Sequence, residues 1–342
     1  MGVKFHQRFS VPDKSFASLT KRDIARLAES YGFSPAGVGK INIVVAEMVS
    51  NLTKHSTYGG DLLVKPLDTD GIEIICLDNG PGMGDPARMM EDGVSTYGSS
   101  GEGLGAIRRQ SDFFDMYSHQ GVGTVILSRI YKQDRAPATD PMAPYEVGAV
   151  MVPKPAELAC GDAFSILIEG GELYLLAADG LGHGLQAQEA SELAADTFEK
   201  NFASDQPGLL RIIHNSIRRT RGAVGLCAHI SPSSVKYCGV GNIAGKLFSL
   251  DGPFGVGSYK NMLSYNGILG HNIPNTLNVQ QLEWNRNKLL VLHSDGLKSR
   301  WELSKYPGIQ QHHAAIIAAV LYKEYCRQTD DTLVLVCKQN IS

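Results

Sequence analysis

The sequence predicts an α+β protein of two domains, and three observations lead to this prediction. The chain has 342 residues, which is more than one domain usually contains. Apolar runs of strand length alternate with stretches of helical periodicity in both halves. Between the halves, residues 133–144 carry prolines and charges but few apolar side chains, which is typical of a semi-stiff linker. We therefore place one domain at residues 1–132 and a second at 145–342.

Composition argues against several classes of protein. Hydrophobic residues make up 43% of the chain, which suits a globular protein with a normal core. The net charge of −3 offers no basic surface, so we expect no nucleic-acid partner. Apolar runs are too short for a membrane span, so we expect no membrane partner. The six cysteines form no C-x-x-C pair and lie mostly in apolar runs, which favours reduced thiols and a cytoplasmic location.

The first domain reads as a small sheet with two long helices. Apolar residues recur at helical spacing in both predicted helices, whereas the strands are short apolar runs between turn residues. We predict strands at residues 4–10, 61–64, 72–77, 114–118 and 123–130, and helices at 11–31 and 37–56.

Four polar side chains share one face of the second predicted helix. Glu47, Asn51, Lys54 and His55 fall at positions i, i+4, i+7 and i+8 of an otherwise apolar helix. A solvated face is the ordinary explanation of such a pattern. The density of apolar residues around these four side chains favours a functional face instead.

Two glycine-containing segments follow this helix in the chain. Asp78 ends a predicted strand and precedes Gly80 and Gly82, which suits a nucleotide pocket because glycines allow close approach and a carboxylate can accept from a base amino group. The segment at 95–109 is rich in glycine and leads into a helix, whose free N–H groups can hold phosphate. A glycine-rich loop alone is a weak signal. This loop does not directly follow a strand, which argues against a Rossmann domain.

In this order, Glu-x₃-Asn-x₃-His, D-x-G-x-G and the glycine-rich segment resemble the GHKL ATPase superfamily, in particular the small RsbT-like anti-sigma-factor serine kinases. The resemblance covers residues 5–132 and implies a Bergerat-type α/β sandwich that binds ATP with Mg²⁺. It implies that Glu47 is the general base for a serine hydroxyl, that Asn51 coordinates Mg²⁺ and that Asp78 binds adenine. The remaining implied nucleotide-binding residues are Lys54, His55, Gly80, Gly82, Gly101, Gly103, Leu104 and Gly105.

The second domain is organised around a predicted hairpin at residues 158–184. Two apolar runs flank the pair Gly170-Gly171, and antiparallel pairing across that turn would bring Asp162 and Asp179 side by side. Neighbouring carboxylates repel each other unless a cation lies between them. The hairpin therefore predicts a site for a hard metal ion.

Two further strand ends carry aspartates. Asp295 follows an apolar run at 289–293, and the pair Asp330-Asp331 precedes another at 332–336. One Asp-Gly would be read as a plain turn, but four acidic strand ends favour an oxygen-rich site for two Mg²⁺ or Mn²⁺ ions. The other predicted elements of this domain are strands at 146–153, 223–230, 234–241 and 244–250, and helices at 186–202, 209–221 and 309–326.

The motifs G-D, D-G-x-G-H-G, S-D-G and D-D occur in this order and resemble the PPM class of metal-dependent serine/threonine phosphatases, in its SpoIIE/RsbX-like branch. The resemblance covers residues 145–340 and implies an α-β-β-α sandwich. The implied ligands of two Mn²⁺ or Mg²⁺ ions are Asp162, Asp179, Asp295, Asp330 and the Gly180 carbonyl.

Three features of this domain each keep two interpretations. Thr332 directly follows the acidic pair, whereas the family motif has Thr two places after it. The choice between Asp330 and Asp331 as ligand therefore stays open, with Asp330 favoured. His183 either is an ordinary turn residue or positions phosphate. The basic segment at 218–221 either docks an acidic partner or is a solvated helix end.

Two functional hypotheses follow from the two motif sets. In the first, the chain is a bifunctional regulator that binds ATP, phosphorylates serine and dephosphorylates phosphoserine or phosphothreonine on STAS-domain partners of a partner-switching or stressosome pathway. In the second, only the phosphatase turns over, and the first domain senses nucleotide or docks a partner. The oligomeric state stays open, with a homodimer as one alternative.

Overall fold

The computed structural model describes residues 5–56, 58–68, 70–89, 103–132, 144–252 and 256–340. By internal contacts the chain divides into two compact units. The first contains Met1–Pro141 and Gln311–Val320, and the second contains Met142–Gln310 and Leu321–Ser342. Gly101 and almost all of the expected linker lie outside the described residues. The domain boundaries at residues 132 and 145 remain predictions.

The first unit contains one five-stranded antiparallel sheet with strand order β1-β2-β3-β5-β4. Its strands are β1 (Gln7–Val11), β2 (Gly60–Leu67), β3 (Gly71–Asp78), β4 (Phe113–His119) and β5 (Gly123–Tyr131). Its helices are α1 (Ala17–Ser30), α2 (Pro35–His55), the short α3 (Pro86–Met89) and α4 (Gly103–Gln110).

Helix α2 contributes a large part of the buried core of this unit. Its start is stabilised by Ser34, whose Oγ accepts from the Gly37 N–H at 3.2 Å, and by Pro35 in the first turn, where no amide donor is needed. One stripe of the helix is buried in the core between helices and sheet, and α4 packs against it. The buried residues of this stripe are Val38, Ile41, Val44, Val45, Met48, Val49 and Leu52.

The second unit contains two five-stranded sheets, with strand orders β13-β10-β9-β8-β7 and β12-β11-β14-β15-β6. The strands of the first of these sheets are β7 (Asp162–Glu169), β8 (Glu172–Gly180), β9 (Ala223–Ile230), β10 (Ser234–Val240) and β13 (Gln280–Glu283). Those of the second are β6 (Tyr145–Val152), β11 (Ala244–Ser249), β12 (Tyr259–Met262), β14 (Lys288–His293) and β15 (Thr332–Gln339). The helices after β8 are α5 (Leu185–Asn201) and α6 (Gln206–Ser216). Helix α7 (Ala314–Tyr325) precedes β15 in the chain, and its residues up to Val320 belong to the first unit.

Helices α5 and α6 cover the sheet that contains β8 and β9. Small and apolar side chains of both helices are buried against it, among them Ala194, Phe198 and Ile213. This burial of apolar surface is the main force that holds the helices on the sheet. In the described part of the chain, no helix combines the length and apolarity needed to cross a bilayer.

Three predicted helices differ in extent from the observed ones. The helix expected at 11–31 begins only at Ala17, because Asp13 accepts from the Ser15 N–H in a local turn that competes with helix formation. The helix expected at 309–326 is interrupted: a 3₁₀ turn at Ile309–Gln311 comes before α7.

The third difference concerns the helix expected at 209–221. Helix α6 ends at Ser216, and the chain then turns through a bond from the Thr220 N–H to the Ile217 carbonyl. The basic segment at 218–221 therefore lies in a turn and not on a helix. Strands β12 and β13 were not predicted from the sequence.

Candidate functional sites

The β7–β8 hairpin places two carboxylates opposite each other. Asp162 begins β7, Asp179 is the second-last residue of β8, and the two are directly paired across the strands. Gly170 and Gly171 form the connecting turn with φ of +60° and +77°, a conformation that glycine adopts without steric cost. The predicted pairing of the two aspartates is present in the structure.

The other sheet of the second unit adds two more acidic strand ends. Strand β14 ends one residue before Ser294, and β15 begins directly after Asp331. Because the two strands pair antiparallel, Asp295 and Asp330 come to the same end of their sheet. The Ser294 Oγ donates to Asp162 Oδ2 at 2.7 Å, which joins the acidic ends of the two sheets.

Burial and mutual repulsion disfavour charge on these carboxyl groups. Asp162 is only 2% exposed, and burial followed by the charge of Asp179 raises its pKa well above the ordinary value. Burial, and then the charges of Asp295 and Asp330, raise the pKa of Asp179 to about 8. Burial also raises the pKa of Asp331. Each of these shifts would be relieved by a cation among the carboxylates.

The donor set fits a hard divalent cation. Asp162 Oδ1 and Asp331 Oδ2 are buried and have no hydrogen-bond partner among the described residues, so each oxygen is available as a ligand. Carboxylate oxygens are the ligands that Mg²⁺ and Mn²⁺ prefer. No three ligating side chains within the described ranges already form a tight coordination shell. The carboxylates therefore have the chemistry of a metal centre, but they are not arranged as a complete coordination shell.

Gly180 allows the chain to pass close to a helix start. A Cβ at this position would lie 2.1 Å from the Ala187 carbonyl oxygen in the first turns of α5, so no larger residue fits. The glycine holds the end of β8 against the helix that follows it. This keeps the backbone of the turn beside Asp179 in one place.

Two residues that sequence reasoning did not assign support the aspartates. Ser294 is fully buried, and its hydroxyl accepts from the Leu333 N–H while it donates to Asp162. Asn242 donates through Nδ2 to Asp295 Oδ2 at 2.8 Å. Partners of this kind hold metal ligands in position. The serine stands inside the S-D-G motif, which was the only sequence signal for it.

The turn at residues 180–184 contacts two side chains. His183 Nδ1 lies 2.7 Å from Glu157 Oε1, so the histidine has a carboxylate partner. The Arg221 guanidinium lies 2.8 Å from the point where a Cβ of Gly182 would stand. Glycine is favoured at position 182 both by this close approach and by its φ of +88°. The two interpretations of His183 stay open.

In the first unit, α2 and α4 bring three of the expected residues together. A Cβ on Gly103 would lie 2.9 Å from Glu47 Oε2 and 3.6 Å from Asn51 Oδ1. Both polar side chains are half-buried on α2 and face the first residue of α4. Leu104 and Gly105 follow on α4, where Gly105 is buried.

A second group forms at the end of β3. Asp78 Oδ1 accepts from the Gly80 N–H at 2.7 Å. A Cβ on Gly80 would lie 2.9 Å from the His55 carbonyl oxygen, so the end of α2 is adjacent to this loop. Gly82 has φ of +75° and passes close to the backbone of the β4–β5 turn. Lys54 is exposed.

Comparison with curated proteins identified two relatives, although no protein-family model matches the chain. The serine/threonine-protein kinase RsbT of Bacillus subtilis strain 168 is 34% identical over 102 residues, which cover 29% of this chain and 77% of RsbT. The phosphoserine phosphatase RsbX of the same strain is 28% identical over 146 residues, which cover 42% of this chain and 70% of RsbX.

Two solved structures are also similar to this chain. A chain from a study of the bacterial stressosome as a modular system that controls secondary messenger signalling matches 57% of this chain, with TM-score 0.51 and 28% identity over 99% of its own length. A crystal structure of RsbX with magnesium also has TM-score 0.51, with 23% identity, and covers 57% of this chain and 96% of its own; this likeness shows the fold alone. The predicted α+β class is confirmed.

Proposed function

Because this chain belongs to the RsbT family of serine/threonine kinases and joins that region to a PPM phosphatase domain, we propose that it is a bifunctional regulator of protein phosphorylation. One part binds ATP and phosphorylates serine, and the other removes phosphate from serine or threonine. The two activities would set a phosphorylation level on a shared target.

The phosphatase activity is supported by the paired carboxylates of the β7–β8 hairpin. Burial, and then the charges of neighbouring acids, raise the pKa values of Asp162 and Asp179, and a cation among these carboxylates would relieve both shifts. We assign the metal ions, Mg²⁺ or Mn²⁺, to Asp162, Asp179, Asp295, Asp330 and the Gly180 carbonyl. When bound, such ions acidify a water molecule and neutralise phosphate oxygens.

The chain's own residues hold this site in shape. Ser294 fixes the carboxylate plane of Asp162, and Asn242 fixes that of Asp295. These bonds limit the rotation of the two side chains and so lower the cost of collecting them around an ion. Both adjacent acids accept from a backbone N–H, Asp331 Oδ1 from Lys154 and Asp330 Oδ1 from Asp331, so the two variants compared below decide which of them is the ligand.

The kinase activity is supported by the contact of α2 with the start of α4. Glu47 lies where α4 begins, beside Asn51, and a helix start is a suitable place for phosphate. In our assignment Glu47 takes the proton of a serine hydroxyl and Asn51 coordinates Mg²⁺ on ATP. Asp78 binds the adenine. Lys54, His55, Gly80, Gly82, Gly101, Gly103, Leu104 and Gly105 line the nucleotide.

The target we propose is a STAS-domain protein of a partner-switching or stressosome pathway in the cytoplasm. The support is the similarity to RsbT and RsbX, together with the stressosome study in which a similar chain occurs. A regulator with both activities needs a substrate that alternates between two phosphorylation states.

The phosphatase assignment is tested with the full chain and a phosphoserine peptide. Phosphate release should require Mn²⁺ or Mg²⁺ and stop with chelator. Asp330→Asn and Asp331→Asn, compared side by side, separate the two adjacent acids: the ligand's variant loses metal-dependent turnover and the other retains most of it. Metal-independent release would contradict the assignment.

The kinase assignment is tested after the phosphatase has been silenced with Asp179→Asn and Asp295→Asn. Labelled ATP with Mg²⁺ should then transfer label to serine of a STAS-domain protein, and Glu47→Ala should abolish the transfer. Glu29→Ala changes an exposed glutamate of α1 and is the matched control. If ATP binds by calorimetry but no label is transferred, the first domain is a nucleotide-sensing or docking module.

A further inference from the structure

A cavity of about 330 Å³ lies between α6 and the loop at 271–275 in the second unit. Among the described residues, its walls consist of two arginines, two histidines, three asparagines and one isoleucine, and include no carboxylate. The cavity is separate from the acidic metal centre and carries the opposite charge. Its composition suits a ligand with several hydrogen-bond acceptors and negative charge.

The tautomer of His214 is set by its surroundings. Its Nδ1 accepts from the Gly270 N–H at 3.1 Å, so Nδ1 carries no proton. A neutral imidazole has one N–H, which must then be on Nε2. Burial, and then the nearby Arg218 and Arg211, lower the pKa of this histidine, which keeps it neutral. His214 is therefore a fixed hydrogen-bond donor at Nε2.

This donor faces another donor. The Nε2 of His214 and the Nη2 of Arg218 are 3.5 Å apart, and neither atom can accept a hydrogen bond from the other. His214 is only 7% exposed, so solvent has little access to the group. Arg218 is exposed, so solvent can serve its N–H groups, whereas the buried His214 N–H needs an acceptor, and one anion reached by both donors would provide it.

Among the residues that the structure describes, the two arginines of the cavity have no acidic partner. Arg211 donates to the Asn275 carbonyl, and throughout the described ranges neither Arg211 nor Arg218 forms an ion pair with a carboxylate. A guanidinium group binds carboxylate and phosphate through two parallel hydrogen bonds. The cavity thus presents both unneutralised charge and directed donors.

Neutralisation of a helix end is the simpler explanation of basic residues here, because α6 ends at Ser216 and cations stabilise helix C-termini. It accounts for the charge of the arginines. It does not account for a buried N–H of His214 that is directed at a cation, since the helix dipole gains nothing from that arrangement.

The cavity is linked to the metal centre through one residue. His271, in the cavity wall, donates through Nε2 to the Arg221 carbonyl at 2.8 Å. The guanidinium of the same Arg221 reaches Gly182 in the turn that follows Asp179. Arg221 therefore contacts both the cavity wall and the turn beside Asp179.

We propose that this cavity is an oxyanion-binding subsite that takes a carboxylate or second phosphoryl group of the phosphoprotein substrate, held by His214, Arg218 and Arg211. The identity of the substrate rests on the proposed phosphatase function, whereas the anion-binding chemistry of the cavity does not. Free phosphate offers the same acceptors, so the experiment has one arm for each source.

The substrate arm compares two phosphoserine peptides that differ only in having glutamates or glutamines beside the phosphoserine. With the full chain and Mn²⁺, kcat/KM should favour the acidic peptide by about tenfold, the order expected of one or two charge-assisted hydrogen bonds. Arg218→Gln and His214→Asn should reduce this preference to below about threefold. In His214→Asn the amide oxygen can still accept from Gly270.

The control variant is Arg219→Gln, which removes an adjacent exposed arginine that does not line the cavity. It should keep the full preference for the acidic peptide. An equal loss in Arg219→Gln and Arg218→Gln would mean a general charge effect and would overturn the subsite. If wild type shows no preference for the acidic peptide, the assignment of the substrate group to this cavity is wrong, and the free-anion arm decides whether the cavity binds anions at all.

The free-anion arm uses the full chain with ¹⁵N-labelled histidine, in chelator, titrated with sodium sulfate against sodium chloride at equal ionic strength. Sulfate should shift the His214 Nε2–H resonance in wild type and not in Arg218→Gln. A missing shift overturns the subsite even if the peptides are hydrolysed. A shift without peptide preference overturns the substrate assignment. A shift without any peptide hydrolysis refutes the phosphatase and leaves the anion site standing.

Discussion

Each unit contains an almost fully buried carboxyl group, and the two groups have opposite electrostatics. Glu73 of β3 is 1% exposed, and Asp162 of β7 is 2% exposed. Burial raises the pKa of both. At Glu73, however, Lys65, Arg129 and His6 outweigh burial and hold the pKa well below its ordinary value. At Asp162 the neighbours are acids, and the pKa stays well above its ordinary value.

The difference follows from what the neighbouring strands carry. Lys65 and Arg129 are the direct cross-strand partners of Glu73 on either side, at 3.3 Å and 2.7 Å from its carboxylate oxygens. The cross-strand partner of Asp162 is Asp179. A buried acid with internal counter-charges supports the fold, whereas a buried acid without them is suited to an external cation.

The largest expected effect concerns the buried acids without internal counter-charges, Asp162 and its cross-strand partner Asp179. Asp179→Asn should lower metal-dependent phosphatase turnover by about 10³-fold or more, because a metal supplies several kcal/mol of transition-state stabilisation. Wild type should also gain thermal stability when Mn²⁺ is added, and the variant should not. Phosphate release with and without chelator, together with melting curves, checks both. Full activity in Asp179→Asn would refute the metal site.

Glu73→Gln tests the buried acid that does have internal counter-charges. Removal of one partner from a buried charge network leaves the others unpaired, so we expect a loss of about 3 kcal/mol in the free energy of unfolding at pH 7. Urea titration measures it, with the exposed Glu29→Gln as control.

The same variant has a defined pH dependence. Because the pKa of Glu73 is lower in the folded chain, its contribution is complete above the ordinary pKa of about 4.5 and is lost as pH falls through the folded value. The gap between wild type and variant should therefore narrow only under acid conditions. A gap that is constant from pH 7 to pH 3 would show that shape, and not charge, stabilises this site.

Asp162→Asn should act in the opposite direction from Glu73→Gln. In chelator, the amide removes an unfavourable buried carboxyl group yet can still accept from Ser294. We expect the metal-free protein to gain about 1–2 kcal/mol, since removing an uncompensated buried polar group has roughly this value. Urea titration in chelator measures the gain. If Asp162→Asn were destabilised as much as Glu73→Gln, the two buried acids would contribute to stability in the same way, and the proposed difference between them would be wrong.

Ser294→Ala and Asn242→Ala remove the side chains that support the aspartates, and Asn242→Ala gives the smallest effect of the set. Loss of a residue that orients a metal ligand typically costs about 10- to 100-fold in metal affinity or activity. We expect the Mn²⁺ concentration for half-maximal turnover to rise within that range. Asn242→Ala should cost less, because its partner Asp295 is exposed to solvent. An equal effect of both variants would show that burial does not determine the contribution of these supporting residues.

Local signals predicted some of the side-chain proximities that the structure contains. The pairing of Asp162 with Asp179 follows from a two-glycine turn between two apolar runs, because a short turn sets the register of a hairpin. The spacing of Glu47 and Asn51 puts them one helical turn apart on α2, and the structure places Gly103 beside both. The helix ends at Ala17 and Ser216 were missed, since turn hydrogen bonds there replace the helical ones.

The amino-acid sequence by itself determined the fold class, the acidic strand ends and the polar face of α2, because each depends on residues close together in the chain. The tertiary structure decided which of these groups meet. Ser294 reaches Asp162 across 132 positions of the chain, and Arg129 reaches Glu73 across 56. The donor pair of His214 and Arg218 likewise exists only because Gly270 holds the imidazole in one tautomer. Burial sets the charge state of these groups, and burial is a property of the packed chain that local patterns do not carry.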